Sequence, residues 1–259
     1  MSDKEKVLST IQKLLNQAES TEFEEEAQAF LAHAERLMTK YDIEEALLAQ
    51  AGKPISDSIN KAQFWFDSNN YQGPRMRLVT GVARAHGLTD IIQLHPQYRD
   101  GKKQVAIEVF GYQSDLDYLN MLVTSLFMQA GEALHKPDVV AQMEAECYYP
   151  AHKVAWKNAF MLGFSGRVAS RLAEAVKEAK EEVIQEQTET TSESVELALI
   201  DKSKLVTEAF RSEYPRTVQG RGSSAGSRGG SGSTFGDKAG QKASLGGKSV
   251  ESKQGALTA

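Results

Sequence analysis

Apolar positions in the first fifty residues recur at helical spacing. Val7, Ile11, Leu14, Leu15 and Ala18 form one stripe; Phe23, Ala27, Phe30, Leu31, Ala34, Leu37, Met38 and Tyr41 form a second. Glu19-Ser20-Thr21 interrupts the first helix, and Thr21 with Glu24 has the spacing of a capping box, in which hydroxyl and carboxylate each take a free backbone N–H. The pattern predicts a helical hairpin, a shorter third helix from Asp42 to about Ala51, and a stop at Gly52-Lys53-Pro54. A single helix cannot bury either stripe, so the hairpin is expected to pack on itself and on the domain C-terminal to it.

The middle of the chain mixes periods. Ala62 to Asp67, Leu88 to Leu94 and Gln104 to Phe110 read as strands, and Met76 to His86 reads as a helix ended by Gly87. Ser114 with Asp117 opens another helix, which carries Leu116, Leu119, Leu122, Val123 and Leu126. A long helix is expected from about His152 to Gln187. Its Trp156, Phe160, Phe164, Val168, Leu172 and Val176 recur every four positions, so the stripe winds round a 3.6-residue helix and should meet several elements. Val195 to Ile200 reads as a last strand and Lys202 to Glu213 as a last helix. From Arg216 to Ala259, 11 Gly and 8 Ser stand among 44 residues, too little apolar surface to offset the ordering entropy. The expected class is α+β: a helical domain over 1–53, a small β-sheet packed by long helices over 60–215, and a disordered basic tail over 216–259.

Charge refines this picture. The formal net charge of −5 is a difference between unlike parts: seven basic against two acidic side chains in the tail, and 23 against 33 before it. The first 51 residues alone hold five basic and eleven acidic residues, which argues against the hairpin as a DNA reader, because phosphate neutralisation dominates such binding. Arg216, Arg221, Arg228, Lys238, Lys242 and Lys248 of the tail are candidates for weak, salt-sensitive nucleic-acid contact, although spaced cations equally suit a solubilising tail. Cys147 is the single cysteine, which fits a reducing cytoplasm. Met1 to Lys6 has no apolar signal core behind it, and no run of about 18 apolar residues predicts a membrane span.

Several blocks are familiar. Gln17-Ala18-Glu19-Ser20-Thr21-Glu22-Phe23-Glu24-Glu25-Glu26-Ala27, with Arg36-Leu37-Met38 and Tyr41-Asp42-Ile43, resembles the domain of unknown function 2786 of actinobacteria and their phages. Gly111-Tyr112-Gln113-Ser114-Asp115-Leu116-Asp117 and Phe160-Met161-Leu162-Gly163-Phe164 resemble the companion domain found C-terminal to it, and Gly236-Asp237-Lys238-Ala239-Gly240 resembles its end. The resemblance implies a boundary after the N-terminal helices and an actinobacterial or phage setting. It brings no activity and no site residue.

Candidate chemistry is sparse. No two of His33, His86, His95, His135 and His152 lie three or four apart, and there is no HExxH or CxxC, so neither metal nor cofactor is expected. Glu144 and Glu146 flank Cys147 and should disfavour its thiolate, which makes it a structural cysteine. Asp115 and Asp117 are explained by a helix start. Glu108, mid-strand, marks either the solvent face of an alternating strand or a carboxylate in a cleft. Gly246-Gly247-Lys248-Ser249 imitates the end of a phosphate loop, but Lys242 stands where its first glycine belongs. Arg167 and Arg171, beside the small-residue step Gly163-Phe164-Ser165-Gly166, are placed to grip a carboxylate or phosphate, or to form salt bridges.

With no catalytic motif, the expected function is that of a non-enzymatic interaction protein, with a protein partner on the acidic helices and weak nucleic-acid contact through the tail. The alternative is a hydrolase or nucleic-acid-processing enzyme with its site in the middle domain. That site would draw on Glu108, His86, His95 or His152, and Arg167 and Arg171 are further residues to place against any pocket.

Overall fold

Residues 24–50 contain neither glycine nor proline, and nothing in them stops a helix. In the computed structural model, which describes residues 3–21, 24–52, 57–69, 71–186, 192–217, 230–243 and 245, α1 (Asp3–Ser20) and α2 (Glu24–Gln50) form the expected hairpin. Asp42 begins no third helix. It sits within α2, its carboxylate turned to Lys202 at 2.9 Å instead of capping a new N-terminus.

β1 (Ile59–Asp67), α3 (Gln72–Ala85), β2 (Ile91–Gln93), β3 (Gln97–Arg99) and β4 (Lys102–Tyr112) come next in the chain. The sheet is antiparallel throughout and centred on β4. β1 pairs along its full length, from Ile59 opposite Tyr112 to Asp67 opposite Gln104. β2 and β3 share the other edge in tandem. Asp100 and Gly101 turn the β3–β4 hairpin with φ of 48° and 75°, the left-handed pair that a two-residue hairpin turn needs.

Alternation along the strands gives the sheet two different faces. Phe64, Phe66, Val105, Ile107 and Val109 point into the main core, with α3 and α4 (Gln113–Leu134) packed against them. Ile11, Leu14, Leu15, Ala34 and Met38 belong to the same core, so the hairpin and the sheet unit bury their apolar stripes together. Phe110 and Tyr112 face the other way, under Val206 and Phe210 of α7 (Ser192–Glu213).

Val195 to Ile200, expected as a strand, is the first part of α7. A six-residue apolar run is compatible with either period. Here Val195, Ala198, Lys202 and Val206 share one buried helix face, and α2 and β4 lie against it. α5 (Pro137–Glu146), for which no element was expected, starts on a proline and joins α4 to α6 (Pro150–Glu186).

The tail departs furthest from expectation. The α+β class holds, but Gly232–Lys242 is a helix, α8, seated on α6. Gly232, Gly236 and Gly240 face the carbonyls of Trp156, Phe160 and Phe164; a Cβ at Gly236 would lie 1.9 Å from the Phe160 oxygen. Backbone contact replaces the large apolar side chains whose scarcity pointed to disorder. Arg167 closes the joint with a two-point ion pair to Asp237, at 2.8 and 2.9 Å, and Arg171 donates to the carbonyls of Gly240 and Ala243, both at 2.8 Å. The small-residue step at Gly163 therefore does admit a partner, and that partner is the chain's own tail. Residues 218–229, 244 and 246–259 lie outside those described.

Candidate functional site

Three local devices aim side chains at one point. The first is the end of α3. Gly87, at φ 82°, lets Leu88 N–H reach the Ala83 carbonyl at 2.9 Å and Gly87 N–H reach that of Arg84 at 3.0 Å. These are the paired bonds of a Schellman motif, and they fix His86 as the last helical-end residue. The second is the passage from β4 into α4, which has no loop. Asp57 holds it by accepting the Ser114 backbone N–H at 2.9 Å and the Ser114 hydroxyl at 2.5 Å. That places Asp115 and Tyr118 in the first two turns of α4. The third is α2, where Glu35 and Asp42 stand two turns apart on one face.

These groups line a cavity of about 260 Å³ between α2, the end of α3, β4, α4, α6 and α7. At one end the Tyr118 hydroxyl donates to Glu35 Oε1 at 2.6 Å. His86 Nδ1 lies 3.6 Å from Glu35 Oε2, too far for a hydrogen bond but close enough for electrostatic interaction. Glu35 is only 1% exposed. Its Oε2 and His86 Nε2 are buried without a hydrogen-bond partner, a costly state that native proteins keep at few positions. Burial pushes the Glu35 carboxyl above its ordinary range; His86 and the Tyr118 hydrogen bond pull the other way without cancelling it. Burial also raises the Tyr118 hydroxyl well above its ordinary value, and Glu35 adds to that.

The other end carries Asp42, Asp115 and Lys202. Lys202 is 7% exposed, with its Nζ 2.9 Å from Asp42 Oδ1 and 4.5 Å from the Tyr112 ring centroid. Burial works against its charge, yet Asp42 and Asp115 outweigh burial and hold the ammonium above the usual lysine range. Burial pushes the Asp115 carboxyl well up, and Asp42, through its charge and a hydrogen bond, pushes it further. The trio therefore combines a lysine held as its ammonium, a carboxylate bonded to it, and a carboxyl that burial and Asp42 push upward.

Of the residues singled out from sequence, His86 and Asp115 reach this cavity. Glu108 lies on the outer sheet face as the alternation implied, yet it is 1% exposed because the end of α7 covers it. It accepts from Gln63 and, at 2.5 Å, from Tyr214, with Lys61 at 3.6 Å. His95 is exposed between β2 and β3; His152 is exposed at the start of α6, edge-on to Tyr149. Arg167 and Arg171 hold α8. Arg216, Lys238 and Lys242 are exposed, whereas Arg221, Arg228 and Lys248 lie outside the described residues. Among the described residues, no three His, Cys, Asp or Glu side chains are grouped to hold a metal ion. No described helix is long and apolar enough to cross a membrane. Cys147 is buried and its thiol is pushed up, by burial first and Glu146 second.

Glu35, Tyr118 and Lys202 escaped the sequence reading, and Asp42 and Asp115 were read only as helix starts. A usable signal was there: Glu35 and Asp42 sit seven apart on the apolar face of α2, beside Ala34 and Met38. Lys202 interrupts the buried run Val195, Ala198, Val206 in the same way, but a strand assignment hides that stripe.

Residues 6–45 match the family model described as a protein of unknown function (DUF2786). The match contains the N-terminal blocks 17–27, 36–38 and 41–43 and supplies Glu35 and Asp42 to the cavity. No curated protein and no solved structure matches the chain.

Proposed function

We propose that the protein performs acid–base chemistry of the hydrolase type on a small molecule bound in the cavity. The observation that carries this reading is the pair of unsatisfied buried atoms, Glu35 Oε2 and His86 Nε2, at the wall of a cavity with several ionisable groups. Perturbed, buried ionisable groups gathered in a cleft are a physical signature of functional sites. A carboxylate on the Nδ1 side favours the tautomer with the proton on Nδ1, which leaves Nε2 as the base. Asp115, whose carboxyl burial pushes well up, is the complementary acid. Lys202, held as an ammonium by Asp42 and Asp115, contributes a positive charge and not an amine nucleophile.

Histidine-labelled protein, followed by NMR against a panel of small esters, amides and phosphodiesters, tests this. His86 resonances should move, and any turnover should vanish in Glu35→Gln and His86→Gln. A cavity that admits no molecule, or turnover indifferent to both substitutions, would sink the proposal.

Assignment of residues 60–215 to the family's companion domain, an actinobacterial or phage source and a cytoplasmic setting belong to the same proposal; blocks 111–117 and 160–164 and the single cysteine support them. The interaction-protein reading draws on a separate observation, the exposed Leu197, Ile200 and Leu205 of α7, at 49%, 50% and 44%. Leu197→Lys with Ile200→Lys should then abolish partner capture. Charge reversal at Arg216, Lys238 and Lys242 should abolish low-salt retention on nucleic acid.

A further inference from the structure

We propose that the cavity accepts a small organic cation with N–H donors, an ammonium or guanidinium group, and that Glu35 is the carboxylate that receives it. The inference rests on the cavity being the functional site and adds the chemistry of its occupant.

Unused hydrogen-bonding capacity comes first. Glu35 Oε1 is satisfied by Tyr118, but Oε2 accepts nothing. His86 turns its Nδ1 side to that carboxylate, and its buried Nε2 also lacks a partner. Glu35 Oε2 is thus a buried acceptor that no hydrogen-bond donor answers, with a second unpartnered atom, His86 Nε2, on the neighbouring ring. A ligand that completes this end must donate hydrogen bonds, and the carboxylate favours one that carries positive charge.

Charge points the same way. The carboxyl groups along the wall are Glu35, Asp42, Asp90 and Asp115, against Lys202, Lys180 and the imidazole of His86. Lys202 is engaged by Asp42 at 2.9 Å, so it neutralises that carboxylate and not Glu35. Burial and Asp42 push the Asp115 carboxyl well up, against ionisation. Asp90 accepts from the neutral Thr207 hydroxyl at 2.8 Å. Lys180 is exposed. An anion at the Glu35 end would meet the repulsion of that carboxylate, with the His86 imidazole as the basic group beside it.

The cavity also shows how it holds such a group. The Lys202 ammonium sits between the Asp42 carboxylate and the face of Tyr112. Glu35, with the rings of Tyr118 and His86 set edge-on at 5.1 Å, repeats the pairing of carboxylate and aromatic surface at the other end. A volume of about 260 Å³ falls just below the range of about 300–1,000 Å³ that suits drug-sized ligands, so the occupant is small.

Calorimetry on the full chain with methylguanidinium, putrescine and agmatine, against glutarate and 1,5-pentanediol as anionic and neutral probes, decides the matter. At least one cation should bind with one-to-one stoichiometry and shift the His86 imidazole signals, and Glu35→Gln should weaken it about tenfold or more. If that variant fails to fold, the comparison of cations with glutarate on the native chain, read at His86, remains decisive. Silence from all three cations overturns the inference, as does equal binding of glutarate. Glutarate or pentanediol moving His86 when the cations do not would overturn the ligand class and leave the acid–base site standing. No response from any probe or from the ester, amide and phosphodiester panel would sink both.

Discussion

The Tyr118 hydroxyl on α4 donates to Glu35 Oε1 on α2 at 2.6 Å, across 83 positions of sequence. This bond ties the hairpin to the sheet unit at the wall of the cavity, and it is the strongest stabiliser the Glu35 carboxylate has among neutral groups. Tyr118→Phe keeps the ring and removes the donor. The expected loss is about 1.5–3 kcal/mol, as for a buried hydrogen bond to a charged group, read by urea denaturation. The Glu35 carboxyl should also rise further, visible in a carboxyl NMR titration.

Stability should depend on pH through the buried carboxyls. Burial raises Glu35 above 4.5, and burial with Asp42 raises Asp115 well above 3.8. The folded chain therefore keeps protons that the unfolded chain has released. Stability from this source is complete below those ordinary values and is lost as pH rises through the higher folded ones. Asp115→Asn, which carries no proton to lose, should flatten the decline in urea midpoint between pH 4 and 8. An unchanged slope in that variant would contradict the assignment.

Docking of α8 should respond sharply to one methyl group. Gly236→Ala places a Cβ 1.9 Å from the Phe160 carbonyl oxygen, where only backbone can yield. The cost should be about 1–3 kcal/mol, the range for overpacking, with faster hydrogen exchange over 232–242. Gly166→Ala is the control: it lies exposed within α6 and its Cβ meets nothing within 4 Å, so it should be neutral or gain up to about 1 kcal/mol of helix propensity.

Cys147 offers an independent reporter of the same joint. It is buried with Trp156 and Phe160 in a cluster against which Phe235 and Ala239 of α8 pack. Glu146 accepts from Ser231 through both its backbone and its hydroxyl, and these bonds, with Gln142, pull its carboxyl down to about 2. Thiol labelling of the native chain should be slow, and faster in Gly236→Ala and Glu146→Gln. Equal labelling rates in all three would show that α8 does not shield the cysteine.

Glu108 separates structure from function. Glu108→Ala leaves Gln63 and the Tyr214 hydroxyl without their acceptor and should cost about 1–3 kcal/mol. Ligand binding in the cavity should be unaffected, since Glu108 does not line it. A change in affinity without loss of stability would reverse this assignment.

What the sequence determined by itself is whatever local period and local chemistry can express. The α1 and α2 stripes, the alternation of β4, the stop at Gly87 and the long α6 were legible, because each is written within a dozen residues. So was the close-approach step at Gly163, though not what approaches it. Tertiary structure decided the rest. Val195 to Ile200 became helical because α2 and β4 offered surfaces to a helix face, and a six-residue apolar run has no preference strong enough to resist. Glycines that read as disorder became the seat of α8, because spacing of four in 232, 236 and 240 matches the spacing of four in Trp156, Phe160 and Phe164, a relation between two segments that neither contains alone. The candidate site obeys the same rule. Glu35, His86, Asp115, Tyr118 and Lys202 come from separate places in the chain, and each has an ordinary local reading; only packing removes the water that would have satisfied them and leaves Glu35 Oε2 and His86 Nε2 without partners.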